Sequence, residues 1–416
     1  MAQPISPLAP AHFPSLPSIA GVSLGVAACG VRYKDRTDLL VVELAPGSSI
    51  GGVFTKSTAI SPPAKWCRAH IRKGKARAFI DNSGNANAFT GKAGDASVKR
   101  TVEAAAKLLA CKPSEIFVAS TGIIGVPLPD EKITAALPGV LRDGMTATWE
   151  DAARAIMTTD TFPKGSLRTA EIAGVPVRIV GIAKGAGMIM PNMGTMHVFI
   201  VTDAKIPGAV LQTLTKTGVD KSFNCITIDS DTSTSDTVLV AATGQAKHKR
   251  VTAPGDAHLR DFRAKLDAVM LDLAQQVVRD GEGATKFVEI RVSGGANAGS
   301  AKRLAMAVAN SPLVKTAIAG EDANWGRIVA ALGKSEEPCD MNRLVVAIGG
   351  VPITAKGMMR PDFVEAPVAA HMKGQNILIE IDAGLRKNGK PAPGRATVWT
   401  CDLTHAYIDI NIGYRS

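Results

Sequence analysis

Residues 184–199 read KGAGMIMPNMGTMHVF, and within them Thr195 directly follows Gly194. Two readings fit that pair. In one, Gly194 ends a turn and Thr195 starts a strand, as glycine and asparagine commonly do at strand entries. In the other, the Thr195 hydroxyl attacks the carbonyl before it, cuts the chain and becomes an N-terminal nucleophile. A threonine hydroxyl ionises too weakly to be a good nucleophile at neutral pH. Cutting before Thr195 would release its own α-amine, a base with a reference pKa of about 7.7–8.0 that can take the hydroxyl proton. Gly194 suits this second chemistry, because without a Cβ it leaves its carbonyl open and tolerates a strained backbone.

Other turns are rich in hydroxyls, amides and glycine: DNSGNANAFTG (81–91), STGIIG (120–125), TTDTFPK (158–164), DSDTSTSD (229–236), DGEGATK (280–286) and GEDANWGR (320–327). Loops held by rigid elements are where sites collect, although the same residue types also favour turns for local reasons. More familiar constellations are absent: the chain has no GxSxG, no HExxH, no GxxxxGK[ST] and no strict GxGxxG. His197 lies two residues beyond Thr195, so on an extended strand the two side chains share a face. Its apolar setting favours a structural histidine over a base.

The composition narrows the class. The chain has 416 residues, 46% of them hydrophobic and 20% charged, with 4% aromatic. That is a globular composition, and its core must be built from Ala, Val, Ile, Leu and Met. The net charge is +11, but the cations are spread out, with only short clusters such as AKHKR (246–250). With so few aromatics to stack on bases, small acidic metabolites are the expected partners and nucleic acid is not. The six cysteines stand far apart with no CxxC, so neither a metal site nor a disulfide framework is expected. Isolated thiols suit a reducing cytoplasm. The first residues carry no basic segment with a continuous apolar core, so no signal peptide is expected there. No apolar run is long enough to cross a bilayer.

The elements that must position these turns alternate along the chain. Residues 1–20 read as a proline-rich leader on the surface. DLLVVEL (38–44), ARAFIDNS (76–83), EIFVAST (115–121), VPVRIVGIAKG (175–185) and HVFIVTD (197–203) read as strands. DASVKRTVEAAAKLLACK reads as a helix capped by Asp95, with Val98, Val102, Ala105, Leu108 and Leu109 on its buried face. TWEDAARAIM opens with Thr148 and Asp151 at capping-box spacing and delivers TTDTFPK at its end. The clearest helix carries Leu259, Phe262, Leu266, Val269, Leu273 and Val277 at steps of three and four, with Gly281 to end it. KFVEIRV (286–292) alternates as a half-buried strand, and helical spacing flanks Pro312. LVVAIGG, NILIEIDAG and ATVWTCDL read as closing strands. The order implies a mixed α/β (α+β) architecture with two lobes, its strand order open.

Taken together, STGIIGVPLP, TTDTFPK, KGAGMIMPNMGTM, FNCITIDSDTSTSD, DGEGATK, SPLVKTAIAGEDANWGRI and the terminal INIGYRS resemble the glutamate/ornithine N-acetyltransferase family of arginine biosynthesis, in order and spacing over nearly the whole chain. The resemblance implies a two-lobed, self-cleaving acyltransferase fold related to the N-terminal-nucleophile aminopeptidases. It implies cleavage at Gly194–Thr195 into an α chain, residues 1–194, and a β chain, residues 195–416, that stay together as one folded unit. Thr195 would carry acetyl from N²-acetylornithine to glutamate in a ping-pong cycle. Thr121 and Gly122 would form the oxyanion hole, and Thr158, Lys184, Thr195, Glu282, Asn411 and Ser416 would bind substrate. The family implies no metal and no cofactor, a cytoplasmic enzyme and an α₂β₂ heterotetramer. Whether acetyl-CoA is a second donor is open at this point.

The chain departs from the family pattern in places. Gly194 replaces the usual alanine, Ser230 a usual glycine, Ile412 and Gly413 a small residue and a carboxylate, and Ser416 the usual threonine. Two rivals stand beside the acetyltransferase. One is a self-cleaving amidase or aminopeptidase with water as acceptor; the other is a binding protein whose Gly–Thr bond never breaks.

Overall fold

The computed structural model describes residues 4–190 and 196–412. Gly194, Thr195, Gly413 and Ser416 lie outside the described residues. The chain packs as two compact units, a larger one made from residues 10–224 and 231–277 and a smaller one made from residues 4–9, 225–230 and 278–412.

In the larger unit the strands are β1 (Val22–Ala27), β2 (Leu39–Leu44), β3 (Ser49–Phe54), β4 (Ala78–Asn85), β5 (Ile116–Ile123), β6 (Lys164–Ile172), β7 (Val175–Lys184), β8 (His197–Thr202) and β9 (Thr237–Ala242). They form two sheets, β1-β2-β4-β5 and β3-β9-β8-β7-β6, each with one parallel pair, β4 with β5 and β8 with β9. The sheets face each other. Ile80, Phe117, Val180, Ile182, Phe199 and Leu239 belong to one buried cluster, and the rings of Phe79 and Phe199 stack at 5.7 Å. Strands buried on both faces read as continuous apolar runs, which is why LLVVEL and HVFIVT carry their strong signal.

Helices α1 (Pro62–His70), α2 (Gly91–Leu108), α3 (Asp130–Asp143) and α4 (Trp149–Ala155) serve the first sheet, and α5 (Gly208–Lys221) and α6 (Arg260–Arg279) the second. The α4 capping box forms as expected: Thr148 Oγ1 accepts from the Asp151 N–H, and the Asp151 carboxylate accepts from the Thr148 N–H. The stripe from Leu259, in the turn just before α6, to Val277 on the helix is buried. It packs beside β7, where a Cβ on Gly181 would stand 2.8 Å from Leu273.

Two local expectations are corrected. Helix α2 starts a turn before Asp95, with Thr90 at its N-cap, because the NANAFTG turn leads directly into Gly91; Asp95 is an exposed interior residue. Its buried face is Val98, Val102, Ala105 and Ala106, while Leu108 is exposed where the helix stops. Nor is the leader merely superficial. Leu8 and Ile19 are buried, Phe13 packs against Gly165, and the Trp149 indole donates to the Pro17 carbonyl at 3.0 Å.

The smaller unit is a mixed sheet of β10 (Phe287–Gly295), β11 (Val345–Ile348), β12 (Val351–Pro352), β15 (Asn376–Asp382) and β18 (Gly394–Cys401), in the order β12-β11-β15-β10-β18. Two short hairpins, β13 (Thr354–Ala355) with β14 (Met358–Met359) and β16 (Arg386–Lys387) with β17 (Lys390–Pro391), accompany it. Helix α7 (Ala298–Ala309) packs on β10 and β18, and α8 (Pro312–Ala319) and α9 (Trp325–Gly333) pack with it. The remaining helices are α10 (Glu365–Met372) and α11 (His405–Asn411). Pro312 opens α8 at its first position, where its missing N–H is harmless.

Glycine lets α5 lie close on β3. A Cβ on Gly51 would fall 2.7 Å from the Gln212 backbone nitrogen, and the Gln212 amide bonds both the N–H and the C=O of Gly52 at 2.9 Å. Gly51→Ala is expected to destabilise the protein by about 1–3 kcal/mol. Gly139→Ala, on α3 with nothing near its added Cβ, should instead be neutral or stabilising by up to about 1 kcal/mol. Thermal unfolding of the two variants checks the pair.

Candidate active site

The inner faces of the two sheets in the larger unit end in polar side chains. β7 delivers Lys184, β8 delivers His197 and β5 delivers Thr121, all buried at strand ends. Thr158 arrives from the turn after α4. Strand register sets these positions: Lys184 lies opposite His197 on neighbouring antiparallel strands, and Thr121 lies beside Ser83 on parallel ones.

The Lys184 ammonium donates to Thr158 Oγ1 at 2.7 Å and to Thr121 Oγ1 at 3.2 Å. Its charge lies 3.8 Å from Asp160 Oδ2. Asp160 also accepts from the Lys164 ammonium at 2.7 Å, from the Gly185 N–H at 2.6 Å and from the Thr158 N–H at 3.0 Å. Lys164 and Asp160 side chains are wholly buried, and Lys184 is 2% exposed. Burial alone would raise the Asp160 carboxyl, but the charges of Lys164 and Lys184 and the hydrogen bonds override it and hold the group well below the usual carboxylate range. Two buried cations thus flank one buried anion. Such a cluster suits a carboxylate-bearing ligand.

Gly122 follows Thr121 with φ +133°, and a Cβ there would stand 2.2 Å from the Gly84 carbonyl carbon across the parallel pair. Only glycine fits. Lys184 donates to the Thr121 oxygen, so the Thr121 hydroxyl proton is left to point elsewhere, as an oxyanion donor requires.

Beyond residue 195, the Met196 N–H donates to Asp236 Oδ1 at 3.0 Å, and Thr237 N–H donates to the Met196 carbonyl at 3.1 Å. Burial holds the Asp236 carboxyl well above its usual range, against the opposing Met196 and Thr55 hydrogen bonds and the Lys184 charge. His197 is buried, and its surroundings are not purely apolar, for Nδ1 lies 2.8 Å from Asp81 Oδ2.

Glu282 and Asn411 come together in the smaller unit. Asn411, at the end of α11, donates from Nδ2 to Glu282 Oε2 at 2.8 Å and to the Tyr407 carbonyl at 2.9 Å. Ser230, where the family favours glycine, has φ +71°, a conformation that glycine adopts without strain. Asp160, Lys164, Asp236 and Asp81 were not singled out from sequence. The first three lie within quoted turns, TTDTFPK and DSDTSTSD, and the last opens DNSGNANAFTG. The motifs flagged the segments; the pairings across strands chose the residues.

The ArgJ family model matches residues 23–416. The chain belongs to the ArgJ family. A curated relative from Gluconobacter oxydans, named arginine biosynthesis bifunctional protein ArgJ, is 53% identical over 414 residues, covering 99% of this chain and 96% of that one. Another of that name, from Agrobacterium fabrum, is 51% identical over 419 residues and spans both chains fully. A crystal structure of arginine biosynthesis bifunctional protein argJ from Bacillus halodurans is 37% identical, with TM-score 0.49, covering 52% of this chain and 98% of that chain. Membership of the ArgJ family agrees with the motif resemblance. Among the described residues, no helix is long and apolar enough to cross a membrane.

The buried cluster generates a test of this ArgJ-family enzyme. Asp160→Ala removes the carboxylate that lies between two buried cations and should cost about 3–5 kcal/mol, with Asp160→Asn milder. The sign of the pH dependence follows from the depressed carboxyl. Its stabilisation is full above the unfolded value of about 3.9 and fades as pH falls through the folded one. The gap between the wild-type protein and Asp160→Asn should therefore be constant at neutral pH and narrow only in acid. Urea unfolding across pH measures it.

Proposed function

We propose that this ArgJ-family enzyme is an acyltransferase that moves acetyl from N²-acetylornithine to glutamate through an acetyl ester on Thr195, after cutting itself at Gly194–Thr195. The observation that carries the proposal is the Lys184 constellation. A buried cation, hydrogen-bonded to Thr121 and Thr158, ends the strand that leads into the Gly–Thr segment. Both substrates carry an α-carboxylate to which that charge is matched.

In the proposed cycle the Thr195 α-amine takes the hydroxyl proton, and Oγ attacks the acetyl carbonyl. Thr121 Oγ1–H and the Gly122 N–H receive the developing oxyanion; losing such a donor typically costs roughly 10²–10³ in rate. The amine then returns the proton to the leaving ornithine nitrogen. Glutamate enters, its α-amine attacks the ester, and acetylglutamate leaves with Thr195 restored. Glu282, held by Asn411, is suited to the ornithine side-chain ammonium, and Ser416 completes the substrate set.

The strand pairing of β7 with β8 supports the survival of both fragments in one fold. Residues on either side of the cut are hydrogen-bonded neighbours, Lys184 with His197 through to Ile179 with Thr202. The expected form is an α₂β₂ heterotetramer in the cytoplasm.

Denaturing electrophoresis and N-terminal sequencing should show two fragments, the second beginning at Thr195. Thr195→Ala should stay whole and lose exchange by roughly 10³-fold or more. An unbroken chain that exchanges acetyl at full rate would overturn the proposal. Acetate release from acetylornithine without acetylglutamate formation, when glutamate is supplied, would favour the amidase.

A further inference from the structure

The basic run AKHKR (246–250), which follows β9, has no part in the chemistry above. It borders a cleft of about 600 Å³ that lies wholly within the larger unit, where β9 ends, the turn after β8 passes and the chain enters β3. Lys75, Lys205 and Arg250 line this cleft, and no residue in its lining is acidic. All three cations are exposed, and among the described residues none of them makes an ion pair. Asp203, just before them on the turn after β8, has its carboxylate engaged by the Arg178 N–H at 2.9 Å. Gathering unpaired like charges around a concave surface raises the local positive potential, which an anion relieves.

The frame that holds these cations is fixed. The buried His248 ties the basic run to the turn after β8: its Nε2 accepts the Lys205 N–H at 2.8 Å, which leaves Nδ1 to donate to the Lys249 carbonyl at 2.8 Å. The Ala246 N–H donates to the Asp203 carbonyl at 2.9 Å, and the Gly244 N–H to the Ala204 carbonyl at 3.1 Å. On the facing wall Lys75 bridges to Ser49 through its backbone, and its ammonium donates to the Gly47 carbonyl at 2.8 Å. Both ring nitrogens of His248 are used, so it serves as a brace and leaves recognition to the cations.

We propose that this cleft binds a small polyanion, a molecule with two or more closely spaced phosphate or carboxylate groups, through Lys75, Lys205 and Arg250. Arg250 can offer two parallel N–H groups to one anionic group, while the lysines act as point charges. The lining holds no Phe, Tyr or Trp on which a base would stack, so the anionic groups carry the recognition. The cleft is also distinct from the candidate active site. β8 starts there at His197 and ends at Thr202, before Lys205; at about 3.3 Å per residue that strand spans roughly 17 Å. Its parallel partner β9 starts at Thr237, which bonds Met196, and ends at Ala242 in the cleft lining. A ligand in the cleft therefore sits at the far ends of the two strands whose near ends hold Met196 and His197. The proposal does not depend on whether the chain cuts itself.

Isothermal titration of the full-length protein with inorganic pyrophosphate, and separately with citrate, tests it at fixed ionic strength, so that general screening is held constant. The wild-type protein should bind at least one of the two. Tighter binding of pyrophosphate marks a phosphate ligand, and tighter binding of citrate a carboxylate one. Lys205→Ala combined with Arg250→Ala should weaken that binding by about tenfold or more. Both residues are exposed, so the unfolding temperature without ligand should hold. Lys75→Ala, on the facing wall, should weaken binding independently and decides the matter if the double variant does not fold. A wild-type protein that binds neither anion, or variants that bind as tightly as wild type, would overturn the proposal. Binding of an oligoglutamate peptide where neither small anion binds would overturn it in favour of a protein partner.

Discussion

One buried carboxylate organises the candidate site. Asp160 bonds the Lys164 ammonium and the amides of Thr158 and Gly185, and its charge balances part of that on Lys184. Removing three ionic groups from water is expensive, and an apolar replacement would often be as stable or more so. Their retention makes sense as preorganisation. The carboxylate fixes the turn that carries Thr158 and the residue that follows Lys184, so cation and hydroxyls hold their places before any ligand arrives.

The same layer shows how backbone space is reserved for chemistry. Gly84 and Gly122 sit in register on parallel strands, both with positive φ; a Cβ on Gly122 would stand 2.2 Å from Gly84, and one on Gly84 would stand 2.9 Å from the Arg32 Cβ. The approach sets Thr121 beside Lys184 and leaves the backbone at Gly122 uncovered. On the other side of the Gly–Thr segment, Asp236 and Thr237 pin Met196 by its N–H and C=O. The segment is therefore flanked by two fixed points, Lys184 with Gly185 before it and Met196 with His197 after it.

Much of the fold was legible. The apolar runs of β2, β7 and β8, the three-four stripe of α6, the capping box of α4 and the break at Pro312 all appear where the pattern puts them. Local physics governs each. The failures are also local: Asp95 looked like a cap because a better start, Thr90 with Gly91, is hidden in a turn whose conformation the pattern does not reveal. The leader was misjudged because prolines report poor helix and strand formation, not whether Phe13 and Ile19 find a groove.

For the site, residue order alone determined which turns are rich in hydroxyls, which glycine precedes which threonine, and that Thr121, Thr158, Lys184, Glu282 and Asn411 belong to recognisable motifs. Tertiary structure decided the partnerships: Lys184 with Asp160, Thr121 and Thr158, Asn411 with Glu282, His197 with Asp81 and Met196 with Asp236. These pairs join segments tens of residues or more apart; Lys184 lies 26 positions from Thr158, and Asn411 lies 129 from Glu282. Propensity and periodicity act over a few residues along the chain. Contacts across it depend on strand order and on how sheets stack, which is set by the packing of the whole core.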